Sequence, residues 1–292
     1  MIPKEILGSL ASYFEKTGSQ SFRVIASAYL SGGSINNVYR LTTTQGNFCL
    51  KFNHAGTYPR MFETEAMGLE LLASSGEIRV PRPVFHDDLR DHTFLLLEYI
   101  EASKPRSDMM HDFGRSLARM HRHHAARFGL GHDNYMGSLP QRNTFHDRWT
   151  EFFVNERLEP QVKLAVDKGL AGSEAVQLFG SLFTRLESLF PVEPPSMVHG
   201  DLWNGNYIVS DTGTAALIDP AACYGHREAD LAMTTLFGGF STDFYEGYTE
   251  EYPPEKGWKE RLDLYNLYPL LIHLNLFGQS YWSGIRSILG RF

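Results

Sequence analysis

Cysteine is nearly absent. Cys49 and Cys223 are the only two in 292 residues. Two cysteines cannot form a disulfide framework, so a reducing compartment is expected and the fold must be held by apolar packing. Long hydrophobic runs are missing as well. No stretch reaches the roughly 18 apolar residues of a membrane-spanning helix. An excess of positive charge is also lacking: 27 Lys and Arg face 34 Asp and Glu, a formal net charge of −7. That argues against non-specific binding to nucleic acid or to an anionic membrane. It does not exclude a small anionic ligand, because a few local cations and backbone N–H groups can hold a phosphate. The opening stretch MIPKEILGSLASYFEKTG carries Glu5 and Glu15 and no long apolar core. It reads as a short amphipathic helix rather than a secretory signal, and a cytoplasmic protein is expected. There is no internal repeat and no low-complexity tract.

The composition that remains, 42% hydrophobic and 21% charged, is that of a globular protein with a sizeable core. Its length fits two domains or one bilobal unit. Residues 1–100 read as a helix followed by strands. Ser21 to Leu30, Asn37 to Thr43 and Asn47 to Asn53 are strand-like, with turns at 31–34 and at Gln45-Gly46. In the third of these strands Phe48, Leu50 and Phe52 alternate with Cys49 and Lys51. A helix from about Glu63 to Ser74 and strands at Val84-Phe85 and Thr93 to Ile100 follow. Residues 101–292 read as mainly helical. Met110, Phe113, Leu117 and Met120 recur at helical spacing, with Ser107 or Asp108 as the expected N-cap. Trp149 to Leu158, Ser173 to Phe190 and the last 60 residues continue the helical pattern. One polar loop, HGDLWNGN (199–206), interrupts it, followed by a short hairpin at 207–209 and 215–218. The fold class is α+β. A small antiparallel-sheet lobe with one inserted helix precedes a larger helical lobe, an organisation that resembles the protein-kinase fold.

Phosphoryl transfer needs few groups in defined roles. A carboxylate orients and deprotonates the acceptor hydroxyl, oxygen ligands hold magnesium, and a lysine holds the non-transferred phosphates. The chain offers these in order. Asp201 and Asn206 are five residues apart, the spacing of a kinase catalytic loop, and Asp219 ends the strand after the hairpin. Asp201, Asn206 and Asp219 are the expected catalytic residues, with Asn206 and Asp219 holding Mg2+. Lys51 lies on the third strand and Glu65 on the next helix, where the two could pair. ATP is expected to contact both, together with Gly32, Gly33 and Ser34 of the turn and a hinge at Glu98, Tyr99 and Ile100 whose backbone would meet the adenine edge. Taken singly, Lys51 is an ordinary surface lysine, Asp219 a turn residue and Gly32-Gly33 a hairpin turn. The joint order carries the inference. Gly205 is expected to keep the loop tight, and Asp230 to lie on a helix beneath it and bond its backbone, or else to be a helix N-terminal carboxylate. His199 reads as structural. His121, His123 and His124 read as a polar helix end rather than a zinc site.

HGDLWNGN, together with IDPAACYGHREADLAM (218–233), resembles the fructosamine 3-kinase (ketosamine 3-kinase) family more than aminoglycoside phosphotransferases or choline kinases. FETEAMGLELL (62–72), FGLGHDNYMGSLPQRN (128–143), WTEFFVNERLEPQ (149–161) and YPLLIHLNLFG (268–278) agree, so the resemblance covers nearly the whole chain. It implies ATP-dependent phosphorylation of the third-carbon hydroxyl of a ketoamine, free or on a glycated protein lysine. The unstable product releases the amine, which amounts to deglycation repair. It also implies that Trp203 lines the sugar pocket; packing between lobes is the alternative. Many members carry a cysteine in the glycine-rich loop as a redox switch. Ser34 stands there in this chain, so no such switch is expected. No nucleic-acid or membrane partner is implied, and a monomer is compatible. Two rival functions remain at this level: a kinase of the same fold acting on an aminoglycoside or amino alcohol, and a non-catalytic nucleotide-binding protein.

Overall fold

The computed structural model describes residues 1–18, 22–30 and 35–292. The turn with Gly32, Gly33 and Ser34 lies outside the described residues. The N-terminal part is a five-stranded antiparallel sheet in the order β1-β2-β3-β5-β4. Its strands are β1 (Val24–Tyr29), β2 (Asn37–Thr43), β3 (Gly46–His54), β4 (Pro83–Asp88) and β5 (His92–Glu98). The period-2 pattern of β3 sorts its two faces. Leu50 and Phe52 join Leu41, Phe94 and Leu96 under α1 (Lys4–Lys16), which buries Ile6, Leu10 and Phe14 against them. Cys49 and Lys51 point the other way, toward α2 (Met61–Ser74) and the second lobe. Lys51 sits between Val38 of β2 and Leu95 of β5. The strand pairing therefore fixes it at the centre of the sheet.

The C-terminal part is helical with three small ribbons set into it. In chain order it holds α3 (Met109–His121), the hairpin β6 (Asn134–Met136) and β7 (Leu139–Gln141), and α4 (Trp149–Phe152). A π-helical turn (Phe153–Leu158) carries α4 into α5 (Glu159–Asp167), followed by α6 (Glu174–Phe183) and α7 (Leu186–Leu189). Then come β8 (Ser196–Val198), β9 (Tyr207–Val209), β10 (Ala215–Leu217) and β11 (Cys223–Gly225). Helices α8 (Glu228–Leu236), α9 (Thr242–Glu251), α10 (Trp258–Phe277) and α11 (Trp282–Leu289) complete the chain. The α+β reading with a sheet lobe and a helical lobe is borne out. None of the helices among the described residues is long and apolar enough to cross a membrane.

Three local expectations need correction. The helix read from Ser173 to Phe190 is two helices. The Thr184 hydroxyl bonds the Ser181 carbonyl (2.8 Å) and competes with the helical ladder at the break. Asp108 is at the N-cap of α3, but its carboxylate faces Arg106 (3.4 Å) instead of capping. The ribbons β6–β7 and β8–β11 were not anticipated.

Candidate active site

The apolar step Met197-Val198 is the end of β8, which pairs with β11 and brings His199 into the interior. The fully buried imidazole of His199 donates from Nε2 to the Ile218 carbonyl (2.9 Å) and accepts the Asp201 N–H at Nδ1 (3.2 Å). Burial lowers its pKa, so it is a neutral brace, as expected for a structural histidine. Beneath the loop, the Asp230 carboxylate accepts the backbone N–H groups of His199 (2.7 Å) and Gly200 (2.9 Å). Burial works against this carboxylate, yet the His121 bond, the neighbouring imidazoles and the His199 N–H hold its pKa below the usual range. Asp230 is also in the first turn of α8, so both readings of it hold. His121 corrects an expectation. It is no solvated helix end: it is fully buried, with Nε2 on Asp230 (3.1 Å) and Nδ1 on the Tyr248 hydroxyl (2.7 Å). Gly200 has φ +82, and a Cβ there would lie 2.2 Å from the Ala221 carbonyl oxygen. No other residue fits that turn.

The dispersed ionisable residues converge here. Lys51 Nζ bonds Glu65 Oε1 at 2.6 Å and also pairs with Asp219 Oδ1. Burial alone would lower the Lys51 pKa, but the carboxylates of Asp219 and Glu65 outweigh it and hold the ammonium charged. Asp219 adopts φ +54, a left-handed conformation rare for a side-chain-bearing residue, and its side chain is half exposed at the cleft. Across from it, Asn206 Nδ2 donates to the Asp201 carbonyl (2.8 Å) and to Asp201 Oδ2 (2.9 Å). Burial pushes the Asp201 carboxyl up to about 7; the Asn206 bond opposes this, and Asp219 and Asp230 add to it.

These five residues and Trp203 line one cavity of about 520 Å³ between the sheet and the helices. Trp203 meets Phe237 edge-on at 5.7 Å and lies over Gly205. A Cβ on Gly205 would come within 2.3 Å of the indole, so this glycine is required by the tryptophan ring rather than by its own backbone angle. At the predicted hinge, the Glu98 N–H is taken by the Arg82 carbonyl (2.9 Å) and its carboxylate by Arg79 (2.8 Å). Tyr99 lies under the Arg40 guanidinium at 4.6 Å, and Ile100 is buried. The structure also adds two walls that sequence reasoning assigned no role. One is the tip of β6–β7, with Tyr135, Met136 and Gly137. It is pinned by a buried network in which Asn134 and Gln141 donate to the carbonyls of Ala222 (2.9 Å) and Ala221 (3.1 Å), just after Asp219. The other is Ile272, His273, Leu276 and Phe277 of α10, with Tyr281. The β6–β7 tip and the α10 residues lie within stretches that carried the family resemblance, which was the available signal; Tyr281 lies just beyond them.

A family model for fructosamine kinase matches residues 8–292. The chain belongs to the fructosamine kinase family. It is 38% identical to a "probable ketoamine kinase" of Synechocystis sp. over 96% of this chain and 95% of that one. It is 38% identical to a chloroplastic protein-ribulosamine 3-kinase of Arabidopsis thaliana, over 89% and 80% of the two chains. A solved structure from Thermobifida fusca, assigned as a fructosamine-3-kinase, superposes with a TM-score of 0.87 at 35% identity, covering 97% of each chain. A choline/ethanolamine kinase family protein from Mesorhizobium loti and an aminoglycoside phosphotransferase, 16% and 13% identical, share the fold alone.

The site suits a magnesium ion. Asn206 turns its amide nitrogen to Asp201, and its Oδ1 has no hydrogen-bond partner among the described residues. Asp219 has a second carboxylate oxygen at the cleft. Among the described residues no group of three His, Cys, Asp or Glu forms a metal cluster. Two hard oxygen ligands suit magnesium, which keeps several waters and takes the rest of its shell from phosphates.

Proposed function

We propose that the protein transfers the γ-phosphoryl group of ATP to the third-carbon hydroxyl of ketoamines, sugars joined to an amine, and so initiates their removal from the amine. The observation that supports this most strongly is the meeting of Lys51, Glu65 and Asp219 with Asp201 and Asn206 around one cavity that Trp203 also lines. Asn206 holds Oδ2 of Asp201, which leaves Oδ1 to meet the acceptor. The ionised carboxylate accepts the hydroxyl hydrogen bond and takes the proton as the oxygen–phosphorus bond forms and ADP leaves. Lys51 remains charged against Glu65 and exchanges its contact with Asp219 for the non-transferred phosphates. Asn206 Oδ1 and the Asp219 carboxylate would hold Mg2+, which supplies charge neutralisation across the phosphates. The backbone of Tyr99 and Ile100 would meet the adenine edge, because the Glu98 N–H is already engaged. Trp203 offers a flat apolar face beside the base, a platform for a sugar ring. The acceptor is a free ketoamine or a glycated lysine side chain.

ATP consumption with Mg2+ is the test, on ribulosyl- and fructosyl-lysine, kanamycin and choline, with Asp201→Asn as blank. Turnover confined to ketoamines is expected. Turnover on kanamycin or choline alone would replace the acceptor while keeping the phosphotransferase.

A further inference from the structure

His273 is one helical turn beyond Pro269 on α10. Its Nδ1 lies 2.7 Å from the Pro269 carbonyl oxygen. A carbonyl only accepts, so Nδ1 carries the hydrogen. Burial keeps the ring below the ordinary imidazole pKa, opposed only by that bond, and the ring is neutral at neutral pH. Nε2 therefore presents a lone pair, and it has no partner among the described residues. Around the imidazole stand Phe237 (5.1 Å), Phe277 (5.3 Å) and Tyr281 (5.3 Å), and Phe237 in turn touches Trp203. All line the same cavity as Asp201.

The charge of this wall is informative. The carboxylates that line the cavity are Asp201, Asp219 and Glu65, all on the catalytic side, and two of them are paired with Lys51. The α10 wall holds aromatic faces, the lone pair of His273 and the hydroxyl of Tyr281, with no carboxylate. A polycation finds no counter-charge there. A single ammonium finds π faces and an acceptor for its N–H. The ketoamine nitrogen fits this description: it is a secondary amine, protonated near neutrality, two carbons from the carbon that bears the reacting hydroxyl. Phe237 (41% exposed) and Phe277 (57% exposed) continue from the cavity to solvent, and an apolar chain leaving the nitrogen would cover them.

Resting on the ketoamine reading above, we infer that His273 is a specificity residue that accepts a hydrogen bond from the acceptor's ammonium group, and that the site selects singly charged amines with an apolar substituent. The test compares N-ribulosyl-Nα-acetyl-lysine with the matched ether in which oxygen replaces the nitrogen, a substrate with the same sugar and hydroxyl but no N–H and no charge. Wild type should favour the amine by about 10- to 100-fold in kcat/KM, the range of a hydrogen bond to a charged group. His273→Leu should abolish most of that preference by raising KM for the amine far more than KM for the ether or for ATP. His273→Gln, which retains an acceptor oxygen, should restore part of it. Equal losses on both acceptors, or a preference that survives in His273→Leu, would overturn the inference. Equal use of amine and ether by wild type would overturn it and leave the kinase reading intact. No turnover of either by wild type would overturn both.

Discussion

Asp201→Asn should remove activity and make the protein more stable, by an amount that depends on pH. The Asp201 carboxyl titrates at about 7 in the fold against 3.8 for the free side chain, chiefly because it is buried. A raised carboxyl pKa means that the folded state holds its proton more tightly than the unfolded state. Between about pH 4 and pH 7 the unfolded chain gives up this proton and the folded chain keeps it, so stability declines as pH rises through that window. Above pH 7 both forms are ionised and the full cost remains, about 4 kcal/mol. At pH 5 it is about 1.5 kcal/mol. Asparagine carries no charge and can still accept the Asn206 bond through Oδ1. Thermal unfolding without nucleotide or metal should therefore show the variant well above wild type at pH 8, by on the order of 10 °C for a chain of this size. The gap should shrink by more than half at pH 5. A variant less stable than wild type at pH 8, or a gap independent of pH, would refute the reasoning that burial, rather than a compensating partner, sets this carboxyl.

The same titration governs turnover: kcat/KM should fall about tenfold per pH unit below about 7 as Asp201 takes up a proton, and a profile flat from pH 5 to 8 would remove it as the base. Gly205→Ala should push the Trp203 indole aside, raising KM for the acceptor while KM for ATP holds, with a change in tryptophan fluorescence; an unmoved spectrum would contradict the 2.3 Å overlap. Lys51→Met should leave Glu65 buried without its partner and cost about 3–5 kcal/mol in chemical denaturation, with loss of ATP use. Restoring stability with Lys51→Met/Glu65→Leu, but not activity, would separate the two effects. Asp230→Ala should strand two buried backbone N–H groups, at about 1–3 kcal/mol each, and lower kcat through the loop rather than through ATP binding.

The sheet lobe was legible because β3 alternates apolar and other residues and β5 is a continuous apolar run, and the alternation in β3 already assigned Lys51 and Leu50 to opposite faces. The charged constellation was legible because catalytic-loop spacing is set by backbone geometry, so Asp201 and Asn206 met as their separation implied. His121 was misread, since helix periodicity cannot tell a solvated C-terminus from one buried against a helix more than a hundred residues later. The α10 wall was beyond local pattern for a similar reason. Its residues are apolar or aromatic at helical spacing, as any core helix would be, and only the fold shows that His273 and Phe277 open onto the cavity. The β6–β7 tip faces the cleft through a buried network of Asn134, Gln141, Asn143 and Arg157, whose partners are scattered along the chain.

The most direct measurement is the position of the transferred phosphate. Ribulosyl-Nα-acetyl-lysine, ATP and Mg2+ should yield, by phosphorus–proton correlation NMR, a phosphate on the third-carbon oxygen, followed by slow release of free Nα-acetyl-lysine, with neither signal from Asp201→Asn. Phosphate on another oxygen, or on no ketoamine while ATP is still hydrolysed, would contradict the account.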